Sequence, residues 1–203
     1  VLFMAYSGQM QWRTRAGDEA AARLGEPLTR DQAAQALRTA LDPEGSWILA
    51  VLEAAHKRLT EVRRDIADAG GMVIASDQES ARAYARLLAD MTGKEPTLVL
   101  SDESGSSAKI AEFSKGTSPW LVAVRMVSEG VDVPRLAVGV YATTVSTPLF
   151  FAQAVGRFVR ARRRGETASV FLPSVPGLLG LAAALESERD LVIGRPVHDE
   201  ADL

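Results

Sequence analysis

The chain has 203 residues, 47% hydrophobic and 24% charged, which is ordinary globular material and enough for one α/β domain plus an appendage. With no cysteine and two histidines it offers neither a disulfide framework nor a zinc site, and a formal net charge of -3 gives no global basic field, so nucleic-acid binding would rest on local patches. No run of about 18 apolar residues and no basic-then-apolar leader occurs, which predicts a non-secreted, cytoplasmic protein without membrane partners.

The first residue is Val rather than Met, as expected of a piece of something longer. Residues 1–30 say least: an apolar start from Val1 to Tyr6, a Ser7-Gly8 turn, a mixed stretch with Trp12, and the Ala-rich run Asp18 to Leu24 before a helix stop at Leu24-Gly25-Glu26-Pro27. Thr29 is placed to cap a helix over Asp31 to Leu41, since its hydroxyl can accept from a first-turn amide. Asp42 to Ser46 breaks that helix. From Trp47 a longer one is expected, with Ile48, Val51 or Leu52, Ala55, Leu59, Val62 and Ile66 three or four apart and Gly70-Gly71 as its end. Its apolar stripe should lie on a sheet, and its polar face, with His56, Lys57, Arg58, Arg63 and Arg64, reads as a solvated one.

Five β-type runs follow: Met72 to Ser76, Thr97 to Leu100, Trp120 to Val124, Leu136 to Tyr141 and Ala168 to Leu172. Mainly helical segments separate them, which predicts a mostly parallel sheet with helices on both faces, because each parallel return needs a crossover. Ligands of such sheets bind beyond the carboxyl ends of the strands, and Ser76, Gly130, Asp132 and Thr143 all sit just after apolar runs. A last helix is expected from about Gly177 to Arg189. Leu98 to Glu103 superficially resembles a magnesium-holding Asp-Glu strand, but no GxxxxGK[ST] phosphate loop occurs to partner it. Without that nest of amides and its Lys, this chain is not a complete ATPase.

The most informative stretch is residues 120–160. Two of the β-type runs flank a Ser128-Glu129-Gly130-Val131-Asp132-Val133-Pro134 turn, and a helical segment from Phe150 to Arg160 follows. Within it Gln153, Arg157 and Arg160 recur at i, i+4 and i+7, so an amide and two guanidinium groups share one stripe suited to an anion, with Gly156 between them allowing close approach.

This EGVDVP turn followed by QAVGRFVR resembles motifs V and VI of superfamily 2, DEAD/DEAH-like helicases and translocases, in the second of their two RecA-like domains. The resemblance covers roughly residues 70–175, with motif IV at Val73 to Ser76, motif V at Val124 to Pro134 and motif VI at Gln153 to Arg160. It implies a RecA-like α/β fold with a mostly parallel sheet, preceded by a helical segment. Residues 1–68 would be the helical connection from a first RecA-like domain, residues 69–195 the domain itself, and residues 196–203 a tail or linker. It also implies roles. Arg157 and Arg160 resemble arginine fingers and Gln153 a γ-phosphate or water contact; Asp132 resembles the acidic residue that accepts from ribose hydroxyls, with Gly130 and Glu129 beside it. Ser76, Arg125, Ser128, Thr143 and Thr144 correspond to contacts with the nucleic-acid backbone. ATP and Mg2+ would be held mainly by the first domain, which carries the phosphate loop, and the polymer would be DNA or RNA. Pro134 and the QxxGRxxR form look closer to restriction-and-repair translocases than to RNA helicases, which favours DNA. The competing class is a non-motor α/β nucleotide- or phosphate-binding regulatory module whose arginines bind a phosphate ligand or a partner.

Overall fold

The computed structural model describes residues 2–6, 9–13, 19–23, 30–100, 104–125, 132–145, 147–158, 168–173 and 176–192. Eight strands are described: β1 Leu2–Tyr6, β2 Gln9–Arg13, β3 Glu19–Arg23, β4 Gly70–Ala75, β5 Thr97–Val99, β6 Trp120–Val124, β7 Leu136–Ala142 and β8 Ser169–Pro173. The helices are α1 Arg30–Ala40, α2 Ser46–Val62, α3 Gln78–Thr92, α4 Ser104–Lys115, α5 Pro148–Gly156 and α6 Pro176–Val192.

Six strands form one sheet in the order β1-β8-β7-β4-β6-β5, and every pair in it is parallel. The central strands are apolar without interruption because both of their faces are covered. Successive side chains alternate: Val73 and Ala75 of β4 face α1, α2 and α3 in one core, while Met72 and Ile74 face α4, α5 and α6 in the other. The helix expected from Trp47 does lie on the sheet, burying Ile48, Val51, Leu52, Ala55 and Leu59 completely. The α3 helix opens on Asp77, whose carboxylate accepts from the Ser80 amide at 2.7 Å, and closes on Gly93 in the left-handed region at φ 72°.

The structure departs from the sequence-based expectation near the amino end. Leu2–Tyr6 is a sixth parallel strand, paired along β8 from Leu2 opposite Ser169 to Tyr6 opposite Pro173. The Ala-rich run, which reads as helical, instead forms β3, antiparallel to β2. Alanine's helix preference is worth only tenths of a kcal/mol per residue, and a helix this short is marginal without a packed face, so cross-strand pairing prevails. Residues 1–68 are therefore strands as well as helices. The Leu24 to Pro27 stop and the Thr29 cap lie outside the described residues. The α2 helix ends at Val62, eight residues before Gly70, because the chain must turn to enter β4. Arg63 stabilises that turn by donating from Nε to the Ala69 carbonyl at 2.7 Å and from Nη2 to the Thr117 carbonyl at 2.5 Å.

A second arginine serves the same edge of the sheet. Arg135 is 3% exposed; its Nε and Nη2 donate to the Phe113 carbonyl at 3.0 and 2.7 Å, and Nη1 donates to the Asp68 carbonyl at 2.9 Å. Its guanidinium carbon lies 4.0 Å from the centroid of the Phe113 ring. Such charge-assisted bonds and the aromatic face compensate for the desolvation of the cation.

On α2, His56 accepts at Nδ1 from the Trp120 indole N–H at 3.1 Å, so the neutral ring with its proton on Nε2 is the form that fits. Burial first, and the Arg63 charge second, hold His56 below its usual value of 6.5. The folded protein thus binds this proton less tightly than the unfolded chain. Its contribution to stability is complete above about pH 6.5 and is lost as pH falls from there through the lower folded-state value. We expect the thermal midpoint to decline between about pH 7 and 5 by more in the wild type than in His56→Asn, whose side-chain oxygen can accept from Trp120 without titrating. Parallel midpoint-against-pH profiles for the two would contradict this bond.

Candidate nucleotide and nucleic-acid interface

Because the strands are parallel, β4, β6 and β7 all end at one edge, and their register aligns the residues that follow. Ala75 lies opposite Val124 and Ala142, so Ser76, Arg125 and Thr143 form a row across the middle of the sheet. Ser76 Oγ donates to Thr143 Oγ1 at 3.3 Å, the Thr144 amide donates to Ser76 Oγ at 3.3 Å, and the Val145 amide donates to Thr143 Oγ1 at 3.3 Å. Four of the five residues expected at a nucleic-acid backbone are thereby gathered on one edge; Ser128 lies outside the described residues. Thr144 and Arg125 are exposed and Ser76 is half-buried. Thr143 differs from expectation: it is fully buried, so its hydroxyl supports the row from beneath instead of facing solvent.

The helix expected over Phe150 to Arg160 is shorter than predicted. The α5 helix covers Pro148–Gly156, where the proline at the first helical position needs no amide partner. Arg157 caps its carboxyl end with its amide directed to the Ala154 carbonyl at 3.2 Å. Phe151, Ala154 and Val155 bury one side of α5 against the sheet, leaving Gln153 exposed and Arg157 half-buried. Arg157 follows the last residue of the helix, four positions after Gln153. A Cβ at Gly156 would meet nothing within 4 Å, so the ground between them is open. Arg160 lies outside the described residues, as do Glu129 and Gly130; Asp132 is described and exposed.

Close packing sets where this segment sits. Phe158 is 4% exposed and its ring rests on β7 at Gly139, where a Cβ would approach ring carbons to 2.5–2.9 Å. We expect Gly139→Ala to overpack this contact, costing about 1–3 kcal/mol and lowering the thermal midpoint by about 2–12 °C. A midpoint within a degree of wild type would show that Phe158 is not seated there.

Tyr141 belongs to the site, although the sequence marks it only as the end of an apolar run. Its ring is 1% exposed, packs edge-on to Phe151 with centroids 5.2 Å apart, and lies 6.2 Å from Phe150. Its hydroxyl donates to the Val145 carbonyl, and burial pushes that hydroxyl well above its usual range, so it stays a donor. Arg135 was likewise unmarked; its place directly after Pro134 gave no sign of burial. Among the described residues no group of three or more His, Cys, Asp or Glu side chains is placed to hold a metal ion. No helix among them is long and apolar enough to cross a membrane.

Chemically, this end of the sheet places hydroxyls and cations in two places: the Ser76 row with Arg125, and the end of α5 with Gln153 and Arg157. The parallel sheet with helices on both faces is a RecA-like α/β fold, the fold also found in the second domain of superfamily 2 helicases. Among solved structures it is similar to a putative HsdR subunit of a type I restriction enzyme from Vibrio vulnificus, with TM-score 0.55 and 23% identity over 76% of this chain and 31% of that one. It is also similar to the Mss116p DEAD-box helicase domain 2 bound to an RNA duplex, with TM-score 0.51 and 20% identity over 73% of this chain and 57% of that one. In sequence it is 68% identical over 201 residues, 99% of this chain, to the uncharacterized protein Rv2917 of Mycobacterium tuberculosis. It is 33% identical over 102 residues, 50% of this chain and 11% of the relative, to the ATP-dependent RNA helicase dbp10 of Aspergillus terreus. The chain spans about a third of the length of the mycobacterial relative it matches. No family profile matches it.

Proposed function

We propose that this chain is the second RecA-like domain of an ATP-dependent DNA or RNA helicase or translocase. In this reading a first RecA-like domain holds ATP and Mg2+, and residues 1–68 lead from it into the domain, with residues 196–203 as a tail or linker. The observation that carries the proposal is the placement of Gln153 on the exposed side of α5 and of Arg157 at that helix's carboxyl end, beside a hydroxyl row at the carboxyl edge of the same sheet. One element suits a polyphosphate and the other a polymer backbone. In support, a related fold of TM-score 0.52 is that of Mss116p bound to ssRNA and AMP-PNP.

The mechanism is electrostatic. As the bond to the γ-phosphate loosens, negative charge spreads over its oxygens, and Arg157 and Arg160 stabilise that charge from across the cleft with little reorganisation. Gln153 fixes the γ-phosphate or the attacking water. Asp132 accepts from the ribose hydroxyls, with Gly130 and Glu129 lining the approach. Ser76, Arg125, Ser128 and Thr144 hold backbone phosphates, contacts that carry no sequence information. Hydrolysis is then fast only with the cleft closed, and closure becomes movement along the strand.

The test is ATP turnover by the complete gene product, measured alone and with duplex DNA, single-stranded DNA or RNA. Acceleration by a polymer, strongest with DNA, together with no turnover by the 203-residue chain alone, is the expected result. A complete product whose turnover no polymer accelerates would overturn the reading.

A further inference from the structure

The two halves of the proposed site are joined through one side chain. Tyr141 stands on β7 opposite Ile74 of β4, two residues before Thr143. Its hydroxyl holds the carbonyl of Val145, while the amide of the same residue is held by Thr143 Oγ1. Val145 is thus fixed at both its polar atoms, one bond leading to the Ser76–Thr143–Thr144 row and the other to the Tyr141 ring. That ring lies against Phe150 and Phe151, in the first half of the helix that carries Gln153 and ends at Arg157. A shift of the hydroxyl row therefore reaches Val145 through hydrogen bonds and α5 through aromatic contact.

We infer that Tyr141 is a positioning residue that couples polymer contact at the carboxyl edge to the placement of α5 and of the Arg157 that follows it. Its hydroxyl is the coupling group and its ring the packing group. The inference rests on the functional reading above, and the two fail differently. The experiment is ATP turnover by the complete gene product titrated with duplex DNA, comparing wild type with Tyr141→Phe, which keeps the ring and removes only the donor. The variant is expected to melt cooperatively and to keep the wild-type KM for ATP. Its maximal acceleration by DNA should fall about 2- to 30-fold, the range of coupling effects from residues that touch neither ligand. Acceleration equal to wild type overturns the role of Tyr141 while leaving the functional reading intact. A loss matched by an equal rise in KM for ATP, or by loss of cooperative melting, assigns Tyr141 to general packing and also overturns it. A wild type that DNA and RNA both fail to accelerate removes the functional reading itself.

Discussion

Arg157→Ala in the complete gene product is expected to reduce polymer-stimulated ATP turnover by about 10³- to 10⁵-fold, with a much smaller effect on nucleic-acid affinity. The magnitude follows from what the guanidinium is asked to do. On the proposed reading it would meet charge that is fully developed only in the transition state, so its removal would lower kcat far more than ground-state binding. The geometry favours Arg157 for this role because it terminates α5 while Phe158 beside it is anchored on Gly139, fixing where the side chain departs. Arg157→Lys should recover little, since a point charge lacks the planar fork that spans two phosphate oxygens. Turnover in Arg157→Ala within a few-fold of wild type would remove the finger assignment.

Cutting the chain at the sequence-based boundary, so that residues 69–203 stand alone, is expected to abolish cooperative folding. Ile48, Val51, Leu52 and Leu59 of α2 are all 0% exposed. At about 1.5–3 kcal/mol for each large aliphatic side chain, these four contribute roughly 6–12 kcal/mol, comparable with the whole stability of a domain, about 5–15 kcal/mol. The unfolded chain already buries part of this area, which trims the sum without changing its rank. Their loss would also bare Val138, Val140 and Phe171, which share that core. Losing β1 would further open the backbone of β8 as a raw edge prone to pairing with other chains. The measurement is soluble yield and thermal melting of residues 69–203 beside the 203-residue chain. A soluble fragment with a sharp transition would show that α1, α2 and β1 are accessories.

The parts legible in the sequence are those with a local cause. Five apolar runs separated by helical periodicity sufficed for the parallel sheet, because doubly covered strands must be apolar throughout, and the runs at Met72, Thr97, Trp120, Leu136 and Ala168 all became strands. A helix carrying Gln153 was legible from spacing, although it ends at Gly156, just before Arg157. What escaped notice depends on partners far away in the chain. The β1 strand is short and has its partner, β8, at the other end of the sequence, so no local pattern announces it. Arg135 looks like any turn arginine until the Phe113 and Asp68 carbonyls are brought to it. Thr143 reads as a surface hydroxyl, yet the β4–β7 register buries it under Ser76. The reach of Tyr141 to Val145 depends on the path of a loop that composition does not specify.

Arg63 and Arg135 fasten the carbonyls of Asp68, Ala69, Phe113 and Thr117 beneath the amino ends of the strands. The underside is thereby stitched like the sole of a shoe, and a push arriving at the opposite rim finds little slack there to absorb it. On the proposed motor reading, ligand contact at the α5 end of the sheet would then be felt as a tilt of the whole plate.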